Sequence, residues 1–287
     1  MWLWMTRFRE YGRMIKFSHS VFLLPFALSA LLLAPSHVLT VPRFLWILLA
    51  LVSARSAAMG FNRIADRDLD AANPRTAARA LPQGRIGLKA AWVFVAASCV
   101  VFLLCAWALS PLALALSPLA LAFVLAYSFS KRFTWASHLW LGLGAAMAPA
   151  GAWIAVTGAM DGRAGVLVAA VALWVAGFDI LYACQDAAFD RERGLLSIPA
   201  RLGVGPALWA ARGLHLLSVL GLLWVGRLFG MGLPYWAGVG VVGLLLSVEH
   251  ALVSEKDLSR INEAFFTVNG LVSVLYLAAV FLDRRVL

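Results

Sequence analysis

Apolar runs long enough to cross a bilayer follow one another along almost the whole chain, separated by short polar segments. They fall at 18–34, 44–64, 90–109, 112–129, 138–157, 164–185, 206–226, 234–253 and 264–282. About 20 residues in a helix, rising 1.5 Å each, span a hydrocarbon core of about 30 Å. A soluble helical bundle would need a polar face on each helix, and most of these runs have none. The pattern predicts an all-α integral membrane protein with about nine transmembrane helices. Pro111 and Pro118 make the connection between the third and fourth runs the tightest.

Composition agrees with this reading. The 287 residues are 63% hydrophobic and 13% charged, against about 25% charged in soluble domains. A single polytopic domain over 1–287 is expected. The net charge is +10, but the basic residues sit between the spans, so they read as topology signals and partners for phosphate or anionic lipid rather than for nucleic acid. With the N-terminus inside, the inside segments carry Arg7, Arg9, Arg13 and Lys16; Arg63, Arg67, Arg75, Arg79, Arg85 and Lys89; Lys131 and Arg132; Arg191, Arg193 and Arg201; and Lys256 and Arg260. The opposite segments carry Arg43, Arg163, Arg227, Arg284 and Arg285. This asymmetry predicts an N-inside topology, with the C-terminal arginine pair pulling the other way. Cys99, Cys105 and Cys184 all lie in apolar runs and give neither a disulfide framework nor metal-ligand spacing. The first apolar run is too long for a cleaved signal and lacks a small-residue cleavage site.

The chemistry concentrates at two helix ends. In NRIADRDLD, Asn62, Asp66 and Asp70 are spaced i, i+4, i+8, which on a continuous helix puts all three on one face. Asp186 and Asp190 repeat the spacing at the end of a later apolar run. Facing acidic helix ends would offer the oxygen donors that Mg²⁺ on a diphosphate takes. Seven residues before each motif lies an intramembrane charge, Arg55 and Asp179. Seven residues are two turns, so each charge sits about 10 Å deeper on the same face. The echo suggests a pseudo-duplicated pair of four-helix units.

A solvated helix end accounts for one such motif; two motifs with matching buried charges fit it less well. Arg55 has two readings, a structural ion pair (Asp179 being one candidate partner) or an anchor for a substrate carboxylate. Asp179 has a third, as acceptor or base for a phenol hydroxyl. The loop 71–89, punctuated by Asn73-Pro74 and Pro82-Gln83-Gly84, leaves room for a short helix and carries Arg75 and Arg79 toward an anionic ligand. The loop 187–204 has the same character, with Arg191 and Arg193 after Asp190. The histidines at 19, 37, 138, 215 and 250 have no metal spacing and read as structural, with a ligand contact left open for His19. Trp and Phe residues read as lipid-facing, with a subset able to line an apolar tunnel and shield a carbocation.

At RSAAMGFNRIADRDLD, NPRTAARALPQG, YSFSKRFT and DILYACQDAAFD the chain resembles the UbiA superfamily of intramembrane aromatic prenyltransferases, over nearly its whole length. The family's first motif falls on Asn62, Asp66 and Asp70; its second on Asp179, Tyr182, Ala183, Asp186 and Asp190; its Y-x-x-x-K-R loop on Tyr127, Lys131 and Arg132. The resemblance implies a bundle around a central cavity, Mg²⁺-dependent ionisation of a polyprenyl diphosphate, and alkylation of an electron-rich ring. On this view Asn62, Asp66, Asp70, Asp186 and Asp190 hold metal. Asn62, Arg67, Arg75, Arg79, Lys131 and Arg132 hold diphosphate. Arg55, Tyr127, Asp179 and Tyr182 contact the acceptor, with Arg55, Asp179 and Asp190 the catalytic set. The segment around Arg55 is most similar to the 4-hydroxybenzoate polyprenyltransferase branch of quinone biosynthesis. Arg63, standing where the familiar pattern has Asp, and Leu196, where it often has Lys, also resemble relatives that prenylate a dihydroxynaphthoate on a menaquinone route. A bacterial inner-membrane enzyme with its site toward the cytoplasm is expected.

Two other classes make different demands. Membrane CDP-alcohol phosphotransferases need one contiguous acidic motif, whereas these two lie far apart in sequence. A secondary transporter can use an intramembrane Arg and Asp as a coupling pair, but has no need of carboxylates at two helix ends.

Overall fold

The computed structural model describes residues 10–12, 14–15, 20–35 and 39–286; the expectations for Arg7, Arg9, Arg13, Lys16, His19 and His37 lie outside them. In chain order the helices are α1 (Ser20–Leu33), α2 (Val41–Ala65), α3 (Arg67–Ala72), α4 (Leu88–Leu109), α5 (Pro111–Ser130), α6 (Ser137–Thr157), α7 (Gly162–Ala183), α8 (Ala187–Glu192), α9 (Ile198–Leu202), α10 (Val204–Leu228), α11 (Leu233–Ala251) and α12 (Asn269–Val286). No strand occurs among the described residues. Each expected span coincides with a helix, but among the described residues seven segments are long and apolar enough to cross a membrane. α1 is short, and α11 ends in Glu249 and His250, which lowers its apolar character. The expected split at Pro111 is present, with Ser110 extended between α4 and α5.

The chain forms two compact units, residues 1–20 with 41–129, and residues 21–40 with 130–287. In the first, α2 packs along α4. Gly60 makes that approach possible, since a Cβ there would meet the Val95 side chain. The loop after α3 docks through Ala80, Leu81 and Ile86 onto Met14, Ile15 and Ala91. The short helix expected inside that loop is replaced by consecutive turns. Asn73 Oδ1 accepts from the Arg75 amide at 2.9 Å, and Thr76 Oγ1 donates to the Asp70 carbonyl at 3.0 Å. Such local side-chain bonds compete with helical pairing, and Gly84 at φ +68° closes the turn.

In the second unit α7 is buried along most of its length and packs against α6 and α10. Small residues permit the contacts, as they do between membrane helices generally. A Cβ on Gly142 would run into the Ala172 carbonyl, and one on Gly221 into the Ala170 side chain. Trp174 Nε1 donates to Asn269 Oδ1 at 2.8 Å. The Asn269 amide donates to Glu249 Oε1 at 2.6 Å and to the carbonyls of Ala264 and Phe265. Those carbonyls lie in a π-helical turn, Ala264–Val268, which leads into α12; Asn269 satisfies groups that the wider turn releases. Phe22, Phe178, Tyr182, Phe265 and Phe266 form an aromatic cluster around that turn, mostly edge to face, with Tyr182 and Phe265 tilted and their centroids 4.2 Å apart. Large apolar side chains, among them Trp107, Leu119, Trp209 and Trp224, stand exposed along α4, α5 and α10, a surface suited to lipid rather than water.

Candidate active site

The first acidic motif sits where α2 breaks. Asp66 leaves the helical path at φ −100°, ψ 11° and α3 restarts after it, so Asn62, Asp66 and Asp70 do not share one continuous helix. The four-residue hydrogen bonds persist across the break, from Asp66 N to Asn62 O and from Asp70 N to Asp66 O. Asn62 Nδ2 donates to Asp66 Oδ2 at 2.9 Å. Asp70 is buried, and its Oδ1 accepts from Arg79 at 2.5 Å.

Arg63 enters this group without having been singled out as a site residue. Only 7% exposed, it donates to Asn62 Oδ1 at 3.1 Å and to the Met14 carbonyl, and stands 3.9 Å from Asp70 Oδ2. The signal was its departure from the family pattern, an extra cation at a carboxylate-rich helix end. Arg67 is half exposed beside Asp68, and Arg75 is exposed. Tyr127 is half-buried on α5. Arg55 lies two turns before Asn62 on α2, and its Nε is buried with no hydrogen-bond partner among the described residues. Leaving a charged donor so is costly.

The second motif repeats the break. A 3₁₀ turn, Cys184–Asp186, ends α7, and Asp186 adopts φ −99°, ψ 3° before α8. These dihedrals nearly match those of Asp66, so the duplication expected from spacing extends to the local backbone. Asp190 is 3% exposed and accepts from Lys131 Nζ at 3.0 Å. The Lys131 carbonyl in turn accepts from Leu196 N at 2.6 Å, tying the Y-x-x-x-K-R segment to the loop after the motif. Arg132 is exposed, and Tyr182 is partly covered by Phe265.

Asp179, on α7, is bonded through Oδ2 to His138 Nδ1 at 2.7 Å. His138, read from sequence as structural, is fully buried on α6. The contact joins residues 41 apart, and no spacing rule finds it.

Among the described residues no three His, Cys, Asp or Glu side chains form a preformed metal cluster. Mg²⁺ does not require one, because it takes one or two carboxylates and completes its shell with phosphate oxygens and water. Among the described residues Asp70 Oδ2 is buried without a hydrogen-bond partner, a hard oxygen with capacity to spare. The donor set therefore fits a hard divalent cation carried with a phosphate group.

Lys131 gives the simplest test of the basic partners. In Lys131→Met, the apparent KM for prenyl diphosphate is expected to rise roughly tenfold, the worth of one charge-assisted hydrogen bond, with the acceptor KM nearly unchanged. The reverse pattern in steady-state kinetics would move Lys131 to the acceptor.

Residues 23–271 match the UbiA prenyltransferase family. The 4-hydroxybenzoate octaprenyltransferase of Neisseria meningitidis is 30% identical over 230 residues, 79% of this chain and 76% of its own. The enzyme of the same name from Xanthomonas campestris is 31% identical over 217 residues, 75% and 71% of the two chains. Among solved structures, an apo UbiA homologue from Aeropyrum pernix superposes with a TM-score of 0.84 at 36% identity, covering 92% of this chain and 98% of its own. A UbiA homologue from Archaeoglobus fulgidus, bound to DMAPP and Mg²⁺, has the same fold at a TM-score of 0.77 and 20% identity, with 97% and 100% covered. The chain therefore belongs to the UbiA prenyltransferase family and is an all-helical integral membrane prenyltransferase.

Proposed function

We propose that this enzyme transfers a polyprenyl group from its diphosphate to an aromatic acid of the 4-hydroxybenzoate type, as a step of quinone biosynthesis. The observation that carries the acceptor class is Arg55, a guanidinium in a membrane helix whose Nε is buried and has no hydrogen-bond partner among the described residues. A planar carboxylate satisfies that fork with two parallel hydrogen bonds. The names of the curated relatives support the same substrates.

In this reading Asn62, Asp66, Asp70, Asp186 and Asp190 hold Mg²⁺ with the diphosphate. Arg67, Arg75, Arg79, Lys131 and Arg132 donate to phosphate oxygens or order the segments that cover them. Bound Mg²⁺ neutralises charge on the departing diphosphate. The allylic carbon–oxygen bond breaks, diphosphate departs, the ring carbon ortho to the phenol forms the new carbon–carbon bond, and that carbon then gives its proton to Asp179, which passes it to solvent. Asp179 accepts a hydrogen bond from the phenol, pushing electron density into the ring. Tyr127 and Tyr182 contact the substrates, and Asp190 acts at the ionising bond. The distribution of basic residues supports a site on the cytoplasmic side, and the bacterial relatives support an inner membrane.

The test is to incubate purified enzyme and Mg²⁺ with polyprenyl diphosphates of several lengths, offering 4-hydroxybenzoate and 1,4-dihydroxy-6-naphthoate separately. Products are identified by mass. A prenylated hydroxybenzoate is expected; product from the naphthoate alone would reassign the acceptor, and product from neither would sink the aromatic-acid reading.

A further inference from the structure

We infer that His138 is a positioning residue for the aromatic acceptor, acting through Asp179. The inference rests on the proposed role of Asp179 and adds to it a residue on a different helix. Two bonds fix the imidazole. Nδ1 lies 2.7 Å from Asp179 Oδ2, and Nε2 lies 3.4 Å from the Ile198 backbone nitrogen. A backbone N–H only donates, so Nε2 must present its lone pair to it. The proton of the neutral ring is then on Nδ1, where it donates to the Asp179 carboxylate. One hydrogen bond sets the tautomer, and the tautomer sets the other bond.

The consequence for Asp179 is specific. Its Oδ2 is committed to His138, while among the described residues its Oδ1 has no hydrogen-bond partner, and the side chain keeps 17% of its surface exposed. One oxygen is held and the other is presented. A carboxylate at the end of a rotatable side chain would otherwise turn freely about its last bond; the buried ring removes that freedom on α7. His138 is itself 0% exposed, so it meets no substrate, and its Nε2 is already taken. It does not relay the ring proton; it aims the group that does the work.

The anchor on its far side adds a second element. Ile198 opens α9, two residues after Leu196, whose amide donates to the Lys131 carbonyl. Lys131 holds Asp190. Through His138, the orientation of Asp179 is therefore referenced to the same loop that Lys131 and the second acidic motif brace.

The test is a set of substitutions at residue 138 in the full-length enzyme, measured with whichever acceptor the wild type prenylates. His138→Asn places an amide donor near the position of Nδ1, whereas His138→Gln, of similar reach to Nε2, points its amide toward Ile198. His138→Leu removes both bonds. Misplacing a reacting group by about 1 Å costs up to roughly a hundredfold, so kcat in His138→Leu and His138→Gln should fall ten- to a hundredfold. The KM for prenyl diphosphate should stay within twofold, and His138→Asn should recover most of kcat. Added to Asp179→Asn, His138→Leu should cost less than a further twofold, because residues acting as a unit are not additive. If Asp179→Asn is impaired and the two losses multiply, the positioning role is overturned while that of Asp179 stands. If Asp179→Asn is unimpaired, the Asp179 reading fails and this one with it. Thermal unfolding separates folding from function: His138→Gln keeps the volume, and a loss of kcat at wild-type Tm supports positioning. A loss tracking Tm across all three variants, without rescue by Asn, makes the residue structural.

Discussion

Replacing Asp66, Asp70, Asp186 or Asp190 singly with Ala is expected to lower turnover by about a hundredfold or more, since losing an electrostatic contact at an ionising bond costs about 3 kcal/mol. The four differ in what they leave behind. Asp70→Ala strands Arg79, and Asp190→Ala strands Lys131, so both are expected to lose stability as well as rate. Asp66 bonds to the neutral Asn62 amide, so Asp66→Ala probes the first motif without removing the carboxylate that Arg79 holds. The measurement is initial rate against Mg²⁺ concentration alongside thermal unfolding in detergent. Near-normal rates in both Asp66→Ala and Asp186→Ala would overturn the metal assignment.

Arg55→Lys is expected to raise the KM for the aromatic acid at least tenfold while that for prenyl diphosphate stays nearly constant. An ammonium makes one directed contact where a guanidinium makes two parallel ones, and each tenfold is about 1.4 kcal/mol. Asp179→Asn, by contrast, is expected to slow turnover with Mg²⁺ and diphosphate binding intact, because the amide still fills the place but cannot draw on the phenol as a carboxylate does. The competing account makes Arg55 a structural partner within the membrane. Early unfolding of Arg55→Lys in a thermal scan, with the KM for the aromatic acid unchanged in the folded fraction, would remove the acceptor site from Arg55.

The helices were legible because a bilayer filters sequence harshly: few charges survive in runs of twenty, and each run declares itself. The two acidic motifs were legible for the same reason, as carboxylates stand out at such ends. What the sequence hid depends on backbone detail or distant pairing. A continuous helix through Asp66 follows from spacing alone, and nothing in NRIADRDLD announces the break. The turns after α3 were hidden because Asn73 and Thr76 outcompete helical pairing with their own side chains. Arg63 was visible as a departure, but its burial against Asn62 and Met14 depends on a segment 49 residues earlier. His138 carries no local signal at all; its role emerges only once α6 lies beside α7.

The pairing of Asp70 and Asp190 with cations of their own units has a consequence for how the chain is made. Asp70 finds its counter-charge in Arg79, nine residues later, so the first motif is neutralised almost as soon as it leaves the ribosome. Asp190 is made 59 residues after Lys131, a cation already waiting in the same unit when the acid arrives. Each of these two acids therefore has a counter-charge within its own unit, made either before it or within nine residues after it, so neither depends on the other unit for compensation.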